Sequence, residues 1–240
     1  MSLLRTEGLT KHFGGVAAVE DLSFTVESGE ILGLIGPNGS GKTTALNMLS
    51  GFLRPDAGRM WLDGEPMQGL APTQLARRGL LRMFQMTRVF TRVCAFDNLL
   101  TAGLARGLTE AEAGRRAGQL LEELTLAPVA YLDAGQLSGG QRKLLEFGMC
   151  FIDPPRIALL DEPFAAVHPV MRETMAKFIR RRNAQGHTFL LVSHDMPIVV
   201  DLCHRAACMN AGRLIALGTT REVLQDTAVI EAYLGSTHHA

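Results

Sequence analysis

Short apolar runs alternate with longer amphipathic stretches along much of this chain. The runs have the length of buried strands, and the stretches between them carry helix-forming residues. Strands that are separated by helices are expected to lie parallel, joined by right-handed crossovers. The predicted strands are residues 30–35, 157–160 and 188–192, and the helices that follow the first two are residues 45–50 and 170–185.

Two further stretches predict antiparallel strands. Residues 19–26 alternate apolar and polar side chains, and the Asp63-Gly64 pair is typical of a tight hairpin turn. We therefore expect a strand-rich layer that packs against the parallel core. Towards the end of the chain, residues 213–218 predict a last strand and residues 220–224 predict a short helix.

Residues 87–150 differ in composition from their surroundings and are predicted to form a helical subdomain. Ala and Leu recur at helical spacing in residues 96–106 and 109–126, and the pattern that starts at Thr109 is typical of a capping box. Residues 142–150 predict a third helix. The prediction is therefore one α/β domain, residues 1–240, into which this subdomain is inserted.

The charge balance and the cysteines narrow the class of protein. With 24 basic and 24 acidic side chains the net charge is zero, whereas an extended nucleic-acid surface requires a basic excess, so we expect no nucleic-acid partner. The four cysteines are isolated in apolar surroundings, as in proteins of a reducing cytosol. The N-terminal residues lack the apolar core of a signal peptide, and no apolar run is long enough to span a membrane. Any work at a membrane is therefore expected to proceed from one side, through a partner.

Residues 36–44, GPNGSGKTT, lie between a predicted strand and a predicted helix. Glycines let backbone N–H groups turn around a polyphosphate, and the start of the helix adds its positive dipole end. Lys42 can reach the outer phosphates, and the Thr43 hydroxyl suits Mg²⁺, which prefers oxygen ligands. A glycine-rich turn that carries a lysine by chance is the alternative interpretation. The predicted nucleotide-binding residues are Gly36, Asn38, Gly39, Ser40, Gly41, Lys42, Thr43 and Thr44.

Charged and polar side chains follow two of the predicted buried strands. In a parallel sheet, ligands bind beyond the carboxyl ends of the strands, where Asp161 and Glu162 are expected. Asp161 is expected to hold Mg²⁺ through water, and Glu162 to polarise an attacking water. His194, after the strand at residues 188–192, is expected to donate a hydrogen bond to a γ-phosphate. A solvated strand end and a capping histidine are the alternative interpretations.

A second glycine-rich segment, LSGGQ at residues 137–141, precedes a predicted helix. A serine hydroxyl, exposed N–H groups and a helix dipole together form a second anion-binding device. Simple helix capping is the alternative interpretation. Gln85 lies at the junction between the core and the helical insertion, and no physical signal distinguishes it from a surface glutamine.

With these segments in this order, the sequence resembles the ATP-binding cassette subunits of ABC transporters over essentially its whole length. Residues 36–44 resemble the Walker A loop, and residues 137–141 match the family's LSGGQ signature. Asp161-Glu162 resembles the end of the Walker B strand, and His194 matches the switch histidine. Five motifs in register, with the Q-loop glutamine as the fifth, make a specific match.

The resemblance implies a fold, two cofactors and further site residues. The implied fold is a P-loop NTPase ATP-binding cassette of the α/β class, with a parallel-sheet core, an N-terminal antiparallel β subdomain and an inserted helical subdomain. The implied cofactors are ATP and Mg²⁺. Gln85 is the residue that matches the Q-loop, with a catalytic and metal-binding role, and Phe13 falls where the family places an aromatic ring that stacks on adenine. The signature residues that the resemblance brings to the nucleotide are Ser138, Gly139, Gly140 and Gln141.

The resemblance also implies that hydrolysis needs two ATP-binding subunits. Two copies of the chain, or the chain and a homologous partner, are expected to close head to tail around two ATP molecules. Ser138 and Gly140 of one subunit would then meet the γ-phosphate that Lys42 of the other subunit holds. The two anion-binding devices would serve one nucleotide from opposite sides.

The finer resemblance is to ATP-binding proteins of branched-chain amino acid uptake systems. It depends on residues 11–15, 82–85 and 229–235, which read KHFGG, RMFQ and VIEAYLG. It implies import by a complex of transmembrane permease subunits with an extracytoplasmic solute-binding protein, and a cytoplasmic location on the inner face of the cell membrane. The alternatives are an ABC ATPase of urea or amide import, one of lipopolysaccharide export, and a soluble ABC ATPase without a transport role.

Two positions depart from the family pattern. His168 stands in the D-loop, where Asp or Asn is usual, which puts the usual contact between subunits in doubt. Gly148 lies inside a predicted helix, where glycine costs about 1 kcal/mol relative to alanine. The sequence offers no reason for Gly148.

Overall fold

Two β-sheets form the frame of the protein, whose computed structural model describes residues 2–84, 88–165 and 167–235. One sheet has four strands in the order β2-β1-β4-β5, and the other has six in the order β10-β9-β3-β8-β7-β6. The strands of the described residues are β1 (Ser2–Phe13), β2 (Val16–Glu27), β3 (Ile31–Ile35), β4 (Ala57–Leu62), β5 (Glu65–Pro66), β6 (Leu80–Met83), β7 (Ile157–Asp161), β8 (Thr188–Val192), β9 (Arg205–Asn210) and β10 (Arg213–Thr219).

The six-stranded sheet is parallel except at one edge, where β10 pairs with β9 in the antiparallel direction. Every residue of β3, β7 and β8 is buried, which explains their continuous apolar sequences, because a parallel sheet is covered on both faces. The predicted parallel core is confirmed. The carboxyl ends of its parallel strands lie on the same side of the sheet, and the predicted catalytic side chains follow these strand ends.

The four-stranded sheet is antiparallel, as the sequence predicts for the N-terminal layer. Asp63 and Gly64 connect β4 to β5 with φ angles of 53° and 77°. Two successive residues with positive φ are the requirement of a type I′ hairpin turn, which Asp-Gly satisfies. This sheet packs against α1 in an apolar cluster that includes Leu9, Phe24 and Leu46.

The helices agree with the predicted ones in type and differ at their ends. The predicted helix at residues 142–150 begins three residues earlier, at Gly139, because Ser138 caps it. The helices at residues 72–77, 196–202 and 227–235 were not predicted. The helices of the described residues are α1 (Lys42–Leu49), α2 (Pro72–Arg77), α3 (Ala95–Leu104), α4 (Glu110–Glu123), α5 (Gly139–Phe151), α6 (Pro169–Ala184), α7 (Met196–Leu202), α8 (Thr220–Gln225) and α9 (Thr227–Gly235).

The capping box predicted at Thr109 is only half present. The Thr109 hydroxyl accepts the Glu112 N–H at 3.3 Å and so caps α4. The Glu112 carboxylate binds Arg115 and Arg116 instead of the Thr109 backbone, and these hydrogen bonds lower the pKa of Glu112 to about 2. Two guanidinium donors outcompete one backbone N–H, since charge-assisted hydrogen bonds are the stronger ones.

Gly148 has a packing reason that the sequence did not reveal. A Cβ at this position would lie 2.9 Å from Cδ1 of Leu124 and 3.1 Å from Cδ2 of Leu99. Leu99 belongs to α3 and Leu124 ends α4, so the glycine lets α5 approach both helices closely. The predicted limits of the helical subdomain, residues 87–150, stay a prediction.

Candidate nucleotide site

Residues 36–41 form a loop between β3 and α1 that wraps back on itself, and residues 42–44 are the first residues of α1. Gly36 has a φ of 141°, and a Cβ there would lie 2.1 Å from the Met209 carbonyl oxygen. Gly41 has a φ of 103°, and a Cβ there would lie 2.4 Å from the Ala18 carbonyl oxygen. Only glycine fits at either position. No side chain caps α1, which begins at Lys42, so the helix presents its first N–H groups and its positive dipole end to the loop.

The Lys42 ammonium lies inside this loop. It donates hydrogen bonds to the Gly36 carbonyl at 2.7 Å, the Pro37 carbonyl at 2.8 Å and the Ser40 hydroxyl at 3.3 Å. Burial lowers the pKa of Lys42, and the nearby Glu162 carboxylate opposes that shift. A phosphate that enters the loop would offer charged oxygen acceptors, which bind an ammonium more strongly than carbonyl groups do.

Asp161 ends β7 in an ion pair that the sequence did not predict. Its Oδ2 accepts a hydrogen bond from Nη2 of Arg82 at 2.9 Å, and both side chains are buried. Arg82 also donates to Asn47 of α1 at 2.6 Å and to Ser50, the C-cap of that helix, at 3.1 Å. The guanidinium therefore ties the end of β7 to the helix that follows the phosphate loop. The ion pair uses only Oδ2 of Asp161, which leaves Oδ1 for a further ligand.

Glu162 has an uncommon backbone conformation for a residue other than glycine, with a φ of 48°. Strained backbone of this kind concentrates at functional sites, where the surrounding structure must hold it. Here the Glu162 N–H donates to the Val192 carbonyl at 3.0 Å, and the Glu162 carbonyl accepts from the Lys143 ammonium at 3.2 Å. Its carboxylate oxygen Oε1 lies 2.9 Å from Nδ1 of His194. The two strand ends are thus joined through their side chains.

These groups share one open cleft of about 850 Å³. It is lined by residues 36–44, and by Asp161, Glu162 and His194, so most of the predicted site residues are brought together. Tyr233 of α9, Gly212 and residues 16–18 also line it and were not predicted. Tyr233 accepts a hydrogen bond from Gly36, and the separation of these residues along the chain explains why no local pattern revealed it.

The signature residues 138–141 do not line the cleft. The Ser138 hydroxyl accepts the Gln141 N–H at 3.2 Å, and Oε1 of Gln141 accepts the Ser138 N–H at 2.9 Å, which closes a capping box at the start of α5. A Cβ at Gly140 would lie 2.3 Å from Sδ of Met171, so a larger residue here would displace the Met171 side chain where α5 meets α6. Within one chain, therefore, the segment acts as a helix cap, and its predicted role at a nucleotide stays a prediction.

The remaining predicted residues lie elsewhere or outside the described residues. Phe13 ends β1 with 52% of its surface exposed, and it does not line the cleft, although its strand partner Val16 does. His168 accepts the Val170 N–H through Nδ1 at 3.4 Å and caps α6. Gln85 lies outside the described residues.

The donor set at the end of β7 fits magnesium. Oδ1 of Asp161 and the Thr43 hydroxyl are both oxygen donors on the wall of the same cleft, and oxygen is the ligand that Mg²⁺ prefers. The ion usually completes its shell with water and with the oxygens of a bound polyphosphate. The geometry therefore suits a nucleotide that brings its own metal ion.

The loop, the buried strand ends and the parallel sheet define a nucleotide-binding protein, and comparison with known proteins gives the class. The sequence pattern of the family described as "ABC transporter" matches residues 19–165. The chain belongs to this family of ATP-binding cassettes. A second family, described as "Branched-chain amino acid ATP-binding cassette transporter", matches residues 213–239.

Individual relatives support the same class over nearly full length. The chain is 38% identical to the high-affinity branched-chain amino acid transport ATP-binding protein BraF of Pseudomonas aeruginosa, over 97% of this chain and 98% of that protein. It is 36% identical to the lipopolysaccharide export system ATP-binding protein LptB of Haemophilus influenzae, over 98% of both. The crystal structure of MJ1267, an ATP-binding cassette of an ABC transporter in its ADP conformation, superposes with a TM-score of 0.87 at 32% identity, over 98% of this chain and 99% of that one.

The predicted fold class and the predicted family are therefore confirmed. As an ABC cassette, the protein belongs to the ATP-binding subunits of transporters. In the described parts of the chain, no helix combines the length and the apolar character that crossing a membrane requires.

Proposed function

We propose that this protein is the ATP-hydrolysing subunit of an importer that takes up branched-chain amino acids or a similar small solute through permease subunits. The observation that carries the hydrolytic part is the Glu162–His194 pair, held at 2.9 Å in the cleft that contains Lys42. The match of residues 213–239 to the branched-chain amino acid cassettes supports the class of solute. The protein acts on the inner face of the membrane, where its permease partners hold it.

Nucleotide binding begins at the phosphate loop. Lys42 exchanges the carbonyl groups of Gly36 and Pro37 for phosphate oxygens, while the N–H groups at the start of α1 bind the same anion. Thr43 and Asp161 would hold Mg²⁺, which would supply charge neutralisation at the phosphates. Arg82 keeps the Asp161 carboxylate in place, because its ion pair with Oδ2 is buried.

Hydrolysis requires a base beside the terminal phosphate. Glu162 accepts the proton of the attacking water through Oε2, since its Oε1 lies 2.9 Å from Nδ1 of His194. Nε2 lies on the other side of the imidazole ring and is available for a hydrogen bond to the γ-phosphate. The strained backbone at Glu162, fastened by Val192 and Lys143, keeps the carboxylate in one position.

The second half of the site comes from another cassette. Ser138 and Gly140 occupy a helix start that lies outside the cleft of their own chain, so they reach a nucleotide only across an interface. There the α5 dipole and its N–H groups face the charge that develops on the transferred phosphoryl group. Phe13 would stack on the adenine, and Gln85, which lies outside the described residues, would help to hold the metal ion.

Reconstitution with the permease subunits and the solute-binding protein tests this function. ATP hydrolysis in vesicles should rise when the binding protein is loaded with leucine, isoleucine or valine, and labelled amino acid should accumulate. The Glu162→Gln variant, assembled in the same complex, should abolish both. An assembled complex that hydrolyses ATP without moving any of the three amino acids would contradict the proposed solute class and leave the ATPase assignment intact.

Lipopolysaccharide export is the second candidate, because the chain is 36% identical to LptB over nearly its whole length. The two candidates differ in their permease partners. Co-purification of the chain with permeases of a lipopolysaccharide exporter, together with loss of surface lipopolysaccharide on depletion, would favour export. Stable assembly with amino acid permeases alone would favour import.

A further inference from the structure

The C-terminal helix α9 carries a tyrosine into the nucleotide cleft. Asp226 starts this helix, since its Oδ1 accepts the Ala228 N–H at 2.8 Å and its carbonyl accepts the Ile230 N–H at 3.0 Å. Val229, which is buried, packs one face of the helix against the core. Tyr233 follows four residues later and therefore lies on the same face as Val229.

The Tyr233 hydroxyl accepts a hydrogen bond from the Gly36 N–H at 2.8 Å. Gly36 is the first residue of the phosphate loop, and its carbonyl accepts from the Lys42 ammonium at 2.7 Å. Both backbone groups of Gly36 are thus occupied, one by the C-terminal helix and the other by the lysine. The close approach of the Met209 carbonyl excludes any larger residue at position 36, so the loop has little room to move on that side.

We infer that Tyr233 is a positioning residue for the phosphate loop: its hydroxyl fixes Gly36 and thereby holds the entrance of the loop ready for a polyphosphate. A loop that is already ordered loses less conformational freedom when it binds, and affinity rises accordingly. The inference rests on the proposed nucleotide site and extends it to a helix outside the recognised motifs. Residues 213–239, which match the family of branched-chain amino acid cassettes, would then take a direct part in nucleotide binding.

The chemistry of the hydroxyl suits this role. Burial raises the pKa of Tyr233 to about 12, so the group stays protonated and neutral at physiological pH. A neutral phenol oxygen accepts a backbone N–H without adding a negative charge beside the phosphates. An ionised side chain at this position would repel the nucleotide.

Removing only the hydroxyl tests the inference, and the chain offers a matched control. Of its two tyrosines, Tyr131 is 81% exposed and contacts Phe96, away from the cleft. Tyr233→Phe should raise the Kd for ATP about three- to tenfold, the range expected for one hydrogen bond, while kcat at saturating ATP stays near that of the wild type. Tyr131→Phe should change neither. Calorimetric titration and steady-state kinetics measure both quantities on the full chain.

Amide hydrogen exchange provides a readout that simple packing of the ring would not change. The Gly36 N–H should exchange faster in Tyr233→Phe than in the wild type, while the neighbouring Ile35 N–H, inside β3, should not respond. Unchanged exchange at Gly36 together with an unchanged Kd would overturn the inference. A wild-type protein that does not bind ATP would contradict the proposed function instead, so the two failures are distinguishable.

A second variant covers the case in which Tyr233→Phe loosens the helix. Val229→Ala weakens the docking of α9 by removing buried methyl groups, yet it keeps the hydroxyl. The inference requires that Tyr233→Phe lowers ATP affinity more than Val229→Ala does at equal loss of thermal stability. Affinity that follows stability alone across both variants would overturn it.

Discussion

Two glycine-rich segments begin helices in this protein, and they satisfy the first N–H groups of those helices differently. The phosphate loop leads into α1 without any side-chain cap, so the start of that helix faces the cleft. The LSGGQ segment leads into α5 through Ser138 and Gln141, which close a capping box and do not line the cleft. The sequences are similar in composition, yet one helix start is ready for an anion and the other is already capped.

The difference shows that glycine content and a helix dipole do not define a phosphate site by themselves. The first segment also holds the Lys42 ammonium inside its loop, beside two strand ends of the same cleft, whereas residues 137–141 contain no lysine and do not line that cleft. Lys143, one turn into α5, nevertheless connects the two regions, because its ammonium donates to the Glu162 carbonyl at 3.2 Å. A displacement of α5 would therefore change the hydrogen bond to Glu162, the residue proposed as the catalytic base.

The largest effect is expected from Glu162→Gln, which removes the proposed base from the cleft that contains the phosphate loop. General-base assistance contributes about 10²–10⁴ in rate, so ATP hydrolysis should fall by that factor. ATP binding should persist, because Lys42 and the loop are unchanged, and ATP should hold two such subunits together as a stable dimer. Steady-state ATPase assays and light scattering with ATP measure the two results.

A surface substitution of the same kind serves as the control for the base. Glu173 on α6 is exposed, and its ion pairs in the described part of the chain are with the surface cations Lys177 and Arg180, so Glu173→Gln should keep wild-type hydrolysis. A Glu162→Gln variant that turned over ATP at the wild-type rate would assign the base elsewhere. One that stayed monomeric with ATP would contradict the proposed joint site.

Lys42→Ala should have the next largest effect and should act on binding. A hydrogen bond to a charged group contributes about 1.5–3 kcal/mol, which corresponds to a loss of ATP affinity of about ten- to a hundredfold. Lys177→Ala, on the exposed face of α6, is the matched control and should bind ATP normally. Equal affinities for the two variants in a fluorescent-nucleotide titration would show that the buried ammonium does not bind phosphate.

The parts of this site that the sequence predicts are those set by local patterns, and the parts that it does not predict are contacts between residues far apart in sequence. The loop, Asp161, Glu162 and His194 were predictable because each follows an apolar strand of a parallel sheet, and such strands end at one edge. The Tyr233–Gly36 and Arg82–Asp161 contacts join residues far apart in sequence, and no local pattern encodes them.

Secondary structure was predictable to a similar degree. The buried strands β3, β7 and β8 were predicted because they are continuous apolar runs. Arg82 interrupts the apolar run of β6, and the run of β9 is only the four residues 206–209 after Arg205, so neither strand was predicted. The short sequence of α9, TAVIEAYLG, combines β-branched and helix-forming residues, so its periodicity does not distinguish helix from strand.

Ser138→Ala tests whether the LSGGQ segment does more than cap α5. Thr109→Ala, which removes the cap of α4, is the matched control. Both hydroxyls cap helices of the same region, at 3.2 and 3.3 Å from the N–H they accept. Each alanine variant should lose about 1 kcal/mol of unfolding free energy, because each removes an N-cap. Only Ser138→Ala should also slow ATP turnover by the assembled pair, while binding of ATP to a single subunit is spared.

Chemical denaturation and ATPase assays on the two cap variants separate a local cap from a site shared between subunits. Equal losses of stability with a turnover defect confined to Ser138→Ala would support the shared site. Equal turnover in both variants would mean that the serine only caps α5, as it does within one chain.

An effect on stability alone is expected at Glu146, a buried carboxyl on α5 whose Oε2 has no hydrogen-bond partner among the described residues. Burial raises the pKa of Glu146 from 4.5 to about 7, with the Arg88 N–H and the Lys143 charge acting in the opposite direction. The folded protein therefore holds a proton that the unfolded chain releases, and stability must fall as the pH rises from about 4.5 through about 7.

Glu146→Gln keeps the shape of this side chain without the ionisation, so the pH-dependent loss at this position should disappear. The variant should match the wild type near pH 5 and exceed its unfolding free energy by about 1–2 kcal/mol near pH 8, a figure discounted for partial solvent access. Glu122→Gln, on the exposed face of α4, should leave the pH profile unchanged. Urea denaturation across this pH range measures the difference. Parallel profiles for wild type and Glu146→Gln would contradict this prediction. They would mean that the folded protein does not destabilise the charged form of the Glu146 carboxyl, although the side chain is buried.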